Sequence, residues 1–335
     1  MDLITHSLAG ATLAGSVAPG PLVRRAAAVG AVASLLPDVD VLIRAAGDPL
    51  LTVEYHRHFT HSLVFAPFGA LLIAALAWLF LRGGMTFARI FLYAALGVLS
   101  AGLLDTCTSF GTHLLWPFSD QRIAWNVIAV LDPLFSLILL VALGFALAWR
   151  SAVPARIGVA VALLYLLVGF AQHQRAGTAA LQLAQARGHA VERMEVKPTL
   201  GNLVLWRSVY LSGEVFHVDA VRVASGRPLV YPGGALPRFH PDQLDAPPGP
   251  VQTNDIERFR RVSDDYLVVH PQRPRVIGDV RYAMLPNSTL PLWGIALDPD
   301  APERHVDFIP MRSMTPAMRR DFVDMLRGRP LQPAD

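Results

Sequence analysis

The chain has 335 residues and a formal net charge of +3, and 53% of its residues are hydrophobic while only 16% are charged. Its mean hydropathy is +0.40. Because soluble domains usually contain about 25% charged residues, this composition predicts a membrane protein. No basic arm with interleaved aromatic residues is present, so we expect no nucleic-acid partner. The single cysteine, Cys107, excludes an intrachain disulfide.

The first predicted elements are two short apolar helices. They cover residues 3–18 and 26–36 and are joined by the turn sequence PGPL at 19–22. We expect this helical hairpin to pack against longer spans. The first ten residues, MDLITHSLAG, lack the positively charged region that opens a signal peptide, so we expect them to belong to the folded protein.

Four longer apolar runs follow as candidates for membrane spans. They cover residues 62–81, 90–104 with an extension back to 87, 127–149 and 157–171. A helix needs about 20 apolar residues to cross the hydrocarbon core of a bilayer. The first and third runs meet this length, and the other two are slightly short. We expect the fourth to continue as a helix to about Arg187, with Gly188 as its stop signal.

The placement of arginine predicts the orientation of the spans. Three short connections each carry two arginines and no acidic residue: Arg24 and Arg25, Arg82 and Arg89, Arg150 and Arg156. The positive-inside rule places these connections in the cytoplasm. The acidic and histidine-rich ends, and the chain that leaves the last span, then lie on the periplasmic side of a bacterial inner membrane crossed several times.

Residues from about 190 onward are polar and strand-like. The predicted strands cover 191–196, 203–211, 215–223, 266–269, 276–284, 292–297 and 305–309, and the predicted short helices cover 255–261 and 316–326. Residues 226–250 are rich in proline and glycine and are predicted to form a loop.

The predicted fold class is therefore a mainly α membrane bundle followed by a soluble domain. The bundle has about four long helices and the short N-terminal helical hairpin. Residues 1–172 are predicted to form the membrane-embedded domain, 173–190 a helical linker, and 191–335 a soluble, β-rich α+β domain outside the cytoplasm.

Spans that run alternately up and down bring several polar side chains to one membrane face. These are His6, Asp38, Asp40, His56, His58, His61, Asp105, His113 and Asp132. Ionisable groups at membrane depth are costly unless they are paired, hydrated or bound to a metal. Imidazole and carboxylate groups are ligands of zinc, manganese and iron. The sequence therefore predicts a site for one or two divalent ions, zinc first, with manganese or iron as alternatives.

Each motif also has a simpler interpretation. The histidines of HRHFTHSL are compatible with a hydrated interfacial cluster, and PDVD with the end of a helix. Asp132 precedes a proline and is compatible with a helix N-cap. Arg57 and Arg122 are predicted either to bind an anionic substrate or to hold a carboxylate of the site.

The motifs also resemble a known family. DLITHSLAG, LLPDVD, HRHFTHSL and DTCTSFGTHLLWPFSD, in this order, resemble the YdjM-like bacterial inner-membrane metal-dependent hydrolases, a group also labelled LexA-binding. The resemblance covers about residues 1–170, and KPTLGNLVLWRSVY is similar to the appended domain of longer members. His58 stands where the family pattern has a small residue. The resemblance implies a metal-dependent hydrolase whose site residues are His6, Asp38, Asp40, His56 or His58, His61 and Asp105.

The leading hypothesis is a membrane-bound hydrolase that acts on an ester or phosphoester, lipid-linked or phosphorylated, through a metal-activated water. Asp40, Arg57 and Arg122 are its candidate catalytic residues, and membrane lipids are the expected partners. The first alternative is a non-catalytic scaffold or regulator stabilised by a metal. A transporter is the weaker alternative, because the chain has no inverted repeat and the cluster lies near one face.

Overall fold

The computed structural model describes residues 1–244 and 247–331. They form two compact units that are not contiguous in sequence. The helical unit contains Met1–Ile43, Tyr55–Ala171 and Leu200–Asn202. The sheet unit contains Arg44–Glu54, Gln172–Thr199 and the described residues from Leu203 onward. An eleven-residue segment of the N-terminal half, Arg44–Glu54, thus belongs to the sheet unit.

Seven α-helices precede the first strand. They are α1 (Leu3–Val17), α2 (Val23–Leu35), α3 (Leu50–Tyr55), α4 (Phe65–Leu81), α5 (Phe87–Thr106), α6 (Pro133–Trp149) and α7 (Ala152–Ala186). Asp2 caps α1, because its carboxylate accepts hydrogen bonds from the backbone N–H groups of Ile4 and Thr5. Helices α1 and α2 confirm the predicted N-terminal hairpin.

The helical unit has fewer long helices than the sequence predicts. Only α5 and α7 are long and apolar enough to cross a membrane among the described residues. A third candidate is the pair Leu50–His61 and Phe65–Leu81, which is bent by 80° at the break between its two parts. The expectation of about four long helices is therefore wrong, and two or three candidate spans replace it.

Helix α6 is shorter than predicted because Asp132 and Pro133 define its start. Asp132 is its N-cap and Pro133 its first helical residue, and the residue before a proline is disfavoured in the α conformation. Residues 127 and 128 are non-helical, and their N–H groups donate to the carbonyl of Cys107 at 2.9 and 3.2 Å. The predicted span over 127–149 thus begins at Pro133 instead.

Helix α7 is longer than a bilayer requires. Its 35 residues extend over about 52 Å, compared with about 30 Å for the hydrocarbon core. Its C-terminal part belongs to the sheet unit, where Ala176 and Ala180 are buried with Trp206 and Val221. The predicted stop signal, Gly188, has a φ of +75°, which favours glycine.

Glycines allow α1, α2 and α5 to approach closely. A Cβ atom placed on Gly30 would lie 2.2 Å from the carbonyl oxygen of Gly10, and one on Gly97 would lie 2.5 Å from that of Gly30. Small residues at such crossings are typical of helix packing in membranes. This contact sets the spacing of the three helices that lead to the candidate site.

The sheet unit contains two four-stranded antiparallel sheets, with strand orders β1-β2-β3-β4 and β5-β6-β7-β8. The strands are β1 (Arg193–Pro198), β2 (Leu205–Ser212), β3 (Val215–Arg222), β4 (Leu229–Pro237), β5 (Leu267–His270), β6 (Arg273–Asp279), β7 (Trp293–Ala296) and β8 (Asp307–Pro310). Two helices, α8 (Pro250–Val262) and α9 (Pro316–Arg327), confirm the predicted short helices in slightly longer form.

Strand β4 contradicts the loop predicted over 226–250. Among the described residues, it lies at the edge of its sheet and pairs only with β3. Proline is tolerated at a sheet edge, because the missing N–H group is not needed for pairing there. Pro232 and the two glycines that follow it therefore do not prevent a strand. The predicted strand over 276–284 is also corrected, since β6 ends at Asp279.

Candidate metal centre

Four elements of the helical unit bring together four predicted ligands. His6 lies in the first turns of α1, and Asp105 in the last turn of α5. Asp38 lies in the 3-10 turn Pro37–Leu42, and His61 ends the 3-10 turn Phe59–His61. The side chains of His6, His61 and Asp105 are fully buried, and that of Asp38 is 13% exposed. We call these four residues the His/Asp centre.

The nitrogen and oxygen atoms of the His/Asp centre converge. The Nε2 atom of His6 lies 3.3 Å from Oδ1 of Asp105 and 3.9 Å from Oδ2 of Asp38. The Nε2 atom of His61 lies 3.3 Å from Oδ2 of Asp105 and 3.6 Å from Oδ1 of Asp38. One ligand atom from each of His6, Asp38 and Asp105 lies within 4.8 Å of the others.

Within the described residues, several buried atoms of the His/Asp centre form no hydrogen bond of acceptable geometry. They are both ring nitrogens of His6, Nε2 of His61, Oδ2 of Asp38 and Oδ2 of Asp105. A buried polar atom without a hydrogen bond is costly, and the ion pairs within the centre do not give these atoms a hydrogen bond. Two imidazoles and two carboxylates are a ligand set for a divalent transition metal. The residues present therefore fit a metal ion.

Asp40 lies behind His61 and is hydrogen bonded on several sides. Its carboxylate accepts from the backbone N–H of Arg57 at 2.7 Å and from Oγ1 of Thr60 at 3.2 Å. It also lies 3.2 Å from Nδ1 of His56 and 3.4 Å from Nδ1 of His61. Burial raises the pKa of Asp40, but the hydrogen bonds with His56 and His61 outweigh burial and leave the pKa below its usual range. A carboxylate on the second ring nitrogen is a common support for a metal-binding histidine.

Arg57 is committed to the interior of the site. It is 3% exposed, and its Nε atom lies 2.9 Å from Oδ2 of Asp105. Its guanidinium also donates to Oγ1 of Thr108 at 3.0 Å and to the carbonyl of Met1 at 3.4 Å. The amino group of Met1 forms a second ion pair with Asp105. Of the two predicted roles for Arg57, holding a carboxylate is the one that this geometry favours.

His58 and His113 have aromatic neighbours. The ring of His58 lies 4.4 Å from that of His113 and 5.9 Å from that of Trp116, measured between centroids. Burial, with the nearby charges of Arg122 and His58, lowers the pKa of His113 to about 3. His58 and His113 thus belong to an aromatic cluster, whereas His56 is the residue that contacts Asp40.

Arg122 and Asp132 have separate surroundings. The guanidinium of Arg122 lies 4.5 Å from the centroid of the Phe110 ring and donates to the carbonyl of His56 at 3.2 Å. The carboxylate of Asp132 accepts from the N–H of Phe135 at 3.1 Å and from the hydroxyl of Tyr165 at 2.8 Å. Asp132 therefore has the N-cap role that was the simpler of its two interpretations.

Sequence reasoning missed the contribution of Gly102. This glycine lies one turn before Asp105 on α5, and a Cβ atom there would lie 2.5 Å from the carbonyl oxygen of His61. Gly102 therefore allows the turn that carries His61 to contact α5. The spacing of Gly102 and Asp105 in AGLLD is the only sequence signal for this role.

The fold and the centre together define a class: an inner-membrane protein with a helical unit, candidate apolar spans and a buried His/Asp centre. The family model described as YdjM inner membrane protein matches residues 1–176. The chain belongs to this family, as the sequence motifs predict. The matched region contains the whole His/Asp centre.

Two curated relatives resemble part of the chain. The inner membrane protein YbcI of Escherichia coli (strain K12) is 40% identical over 105 residues, which cover 30% of this chain and 60% of that protein. The Bacillus subtilis (strain 168) protein named "Uncharacterized protein YfhP" is 29% identical over 140 residues, which cover 40% of this chain and 42% of that protein. The matched region thus spans less than two thirds of either relative. No solved structure matches the chain.

Proposed function

We propose that the helical unit is a metal-dependent hydrolase of the bacterial inner membrane that cleaves an ester or phosphoester. The observation that carries this proposal is the convergence of His6, Asp38, His61 and Asp105, with buried atoms that form no hydrogen bond. A bound zinc, manganese or iron ion would act as a Lewis acid. It would also lower the pKa of a bound water, so that hydroxide is available at neutral pH. The four side chains would hold one such ion or share two.

The surrounding residues have supporting roles in this proposal. Asp40 lies on the Nδ1 side of His61 and would hold its ring so that Nε2 faces the centre. Arg57 would fix the orientation of Asp105. The guanidinium of Arg122 lies 4.5 Å from the centroid of the Phe110 ring, and Arg122 is the candidate that attracts an anionic substrate.

We also propose that the centre lies at the outer face of the membrane. Two arginine-bearing turns meet at the far end of α1, where Arg156 donates to the carbonyl of Ser16 at 2.8 Å and Arg24 to that of Leu147 at 3.0 Å. His6 lies at the opposite end of the same helix. The positive-inside rule assigns the arginine end to the cytoplasm. A centre at the periplasmic end would lie on the side of the membrane that carries esters anchored in the outer leaflet, so membrane lipids are the proposed partners.

The first test measures metal in detergent-purified protein by plasma mass spectrometry. We expect about one ion per chain or more in the wild type, since a site with this ligand set retains its ion on purification. Asp38→Asn and His6→Gln should lose most of it. The matched control is His270→Gln, which changes a buried histidine of the sheet unit. A wild type without metal after reconstitution, or both ligand variants with full metal content, would contradict the proposal.

A non-catalytic scaffold or regulator is the second candidate, and the number of ligands favours it. Structural zinc sites usually have four protein ligands, whereas catalytic sites keep one position open. Four side chains converge here. Metal-dependent release of nitrophenol from a phosphodiester or an acyl ester in mixed micelles, lost in Asp38→Asn, would support the hydrolase. Bound metal that raises the unfolding temperature without hydrolysing either substrate would support the scaffold.

A further inference from the structure

We infer that Arg258 of the sheet unit is a positioning residue for the metal centre: it holds the segment that connects Asp40 with His56 and His61. The effect on metal binding rests on the proposed function, whereas the effect on the segment itself does not. The connecting segment, Arg44–Glu54, packs within the sheet unit. The two metal-site motifs on either side of it belong to the helical unit.

All five N–H donors of the Arg258 guanidinium face carboxylates. Nε and one terminal nitrogen donate to the two oxygens of Glu54 at 2.9 and 2.8 Å. Both terminal nitrogens donate to the oxygens of Asp48 at 3.1 and 2.9 Å. The fifth hydrogen bond goes to Oδ1 of Asp255 at 2.9 Å. Two bidentate pairs on one planar group give a fixed geometry that a lysine does not reproduce.

The arginine is itself fixed by the sheet unit. Asp255 is fully buried and also accepts from the backbone N–H of Val306 at 3.1 Å and contacts Nδ1 of His305 at 2.9 Å. Burial raises the pKa of Asp48, but the hydrogen bonds and charge of Arg258 lower it below its usual value. Asp48 therefore stays ionised and paired at neutral pH. The contact is thus part of a partly buried ion-pair network that includes the fully buried Asp255.

An apolar contact anchors the same segment. Leu50 lies between Asp48 and Glu54 at the start of α3 and is fully buried. It belongs to the core cluster that contains Phe239, Phe259 and other side chains of the sheet unit. The segment Arg44–Glu54 is therefore held by the buried side chain of Leu50 and by the guanidinium of Arg258, which binds Asp48 before this leucine and Glu54 after it.

Covalent continuity carries this constraint to the metal site. Glu54 is followed after one residue by His56 and then by Arg57, which has a φ of +58°. This left-handed conformation is unfavourable for a residue other than glycine and persists only where neighbours enforce it. Asp40 binds the N–H of Arg57 from one side, and the anchored Glu54 restrains the chain from the other.

Removal of the guanidinium releases the segment. Arg258→Gln leaves the carboxylates of Asp48, Glu54 and Asp255 side by side without their shared cation, and the loss of this cation is most unfavourable for Asp255, which is fully buried. We expect the chain from Glu54 to His61 to loosen, with Arg57 and His61 displaced from Asp105. Mutation of a residue that is hydrogen bonded directly to a metal ligand changes metal affinity by about 10–100-fold, and we expect the lower end of this range for Arg258, which acts through the chain.

The experiment uses the full-length protein in detergent and two measurements. Hydrogen exchange by mass spectrometry follows peptides that cover residues 55–61, without metal. Cobalt(II) titration, followed by visible absorption, gives the metal affinity. The variant is Arg258→Gln, and the matched control is Arg187→Gln, which removes a bidentate pair with Asp219 elsewhere in the sheet unit. A further variant adds Asp48→Asn and Glu54→Gln to Arg258→Gln.

The inference predicts faster exchange over 55–61 and cobalt binding weakened about tenfold in Arg258→Gln, with neither effect in Arg187→Gln. The added neutral residues remove the charge repulsion and restore part of the protection. Equal behaviour of Arg258→Gln and Arg187→Gln would overturn the inference. If the wild type binds no cobalt, the proposed function fails, and hydrogen exchange alone decides: faster exchange in Arg258→Gln supports the positioning role, and unchanged exchange overturns it.

Discussion

Aspartates in apolar surroundings take different roles here according to what lies beside each oxygen. Asp105 faces two histidines, the guanidinium of Arg57 and the amino group of Met1. Asp132 is equally buried but accepts hydrogen bonds from the backbone N–H of Phe135 and the hydroxyl of Tyr165. A carboxylate with only neutral donors around it is satisfied without a metal. The neighbours of Asp132 therefore distinguish it from the aspartates of the His/Asp centre.

A pair of substitutions at Asp132 tests this separation. Asp132→Asn keeps a side-chain oxygen for the N-cap, so both metal content and unfolding temperature should stay near wild type. Asp132→Ala removes the cap and the acceptor of Tyr165, and it should cost about 1 kcal/mol of stability with metal content unchanged. Thermal unfolding in detergent and plasma mass spectrometry provide the two measurements. Loss of metal in Asp132→Asn at an unchanged unfolding temperature would return Asp132 to the ligand set.

The motifs predict that His6, Asp38 and Asp105 lie close together, but they do not predict which of the remaining histidines lies beside them. His6, Asp38 and Asp105 were expected at one face, and the structure brings them together. The aromatic contacts of His58 with His113 and Trp116 depend on a loop conformation. Hydrophobic periodicity contains no information about such a loop. For the same reason, the sequence left open whether His56 or His58 lies at the site.

At the scale of elements, apolar composition located the helices and local chemistry set their ends. The Asp-Pro pair at the start of α6 outweighed the five apolar residues before it, 127–131, because a cap and a fixed φ define a helix start. Strand β4 was missed because proline and glycine normally indicate a loop. Its position at a sheet edge, which permits proline, is a property of the assembled sheet.

Glycine packing between helices gives the prediction at this scale. Gly30→Ala places a methyl group 2.2 Å from the carbonyl oxygen of Gly10, so α1 and α2 must separate. We expect a loss of about 1–3 kcal/mol in the free energy of unfolding in detergent and a loss of metal, because α1 carries His6 and α2 leads to Asp38. Denaturant titration and metal analysis measure these effects.

Gly144→Ala is the matched control for Gly30→Ala. Gly144 lies within α6, and a Cβ atom there has no neighbour within 4 Å among the described residues. Alanine has a higher helix propensity than glycine by about 1 kcal/mol, so this variant should be as stable as the wild type or slightly more stable. Equal stability of the two variants would show that the glycine contact does not control the packing of α1 and α2.

For the whole molecule, the long helix α7 connects the proposed membrane orientation with the position of the sheet unit. If the turn at Arg150 is cytoplasmic, α7 leaves the membrane on the periplasmic side. An alkaline phosphatase fusion after Arg187 should therefore be active, whereas one after Arg150 should be inactive. The reciprocal fusions to green fluorescent protein provide the control. Activity after Arg150 with silence after Arg187 would reverse the proposed orientation.

The long sequence separation of the Arg258 ion pairs has a consequence for synthesis of the protein. Glu54 and Arg258 are 204 positions apart. At a translation rate of about 5–20 residues per second, Glu54 is made roughly 10–40 s before its partner. During that interval Asp48 and Glu54 lack the guanidinium that pairs with them, and Leu50 lacks the apolar side chains that bury it. The nascent chain thus contains every side chain of the His/Asp centre well before the sheet unit exists to order the connecting segment, and maturation of the centre should follow synthesis of Arg258 and the strands around it.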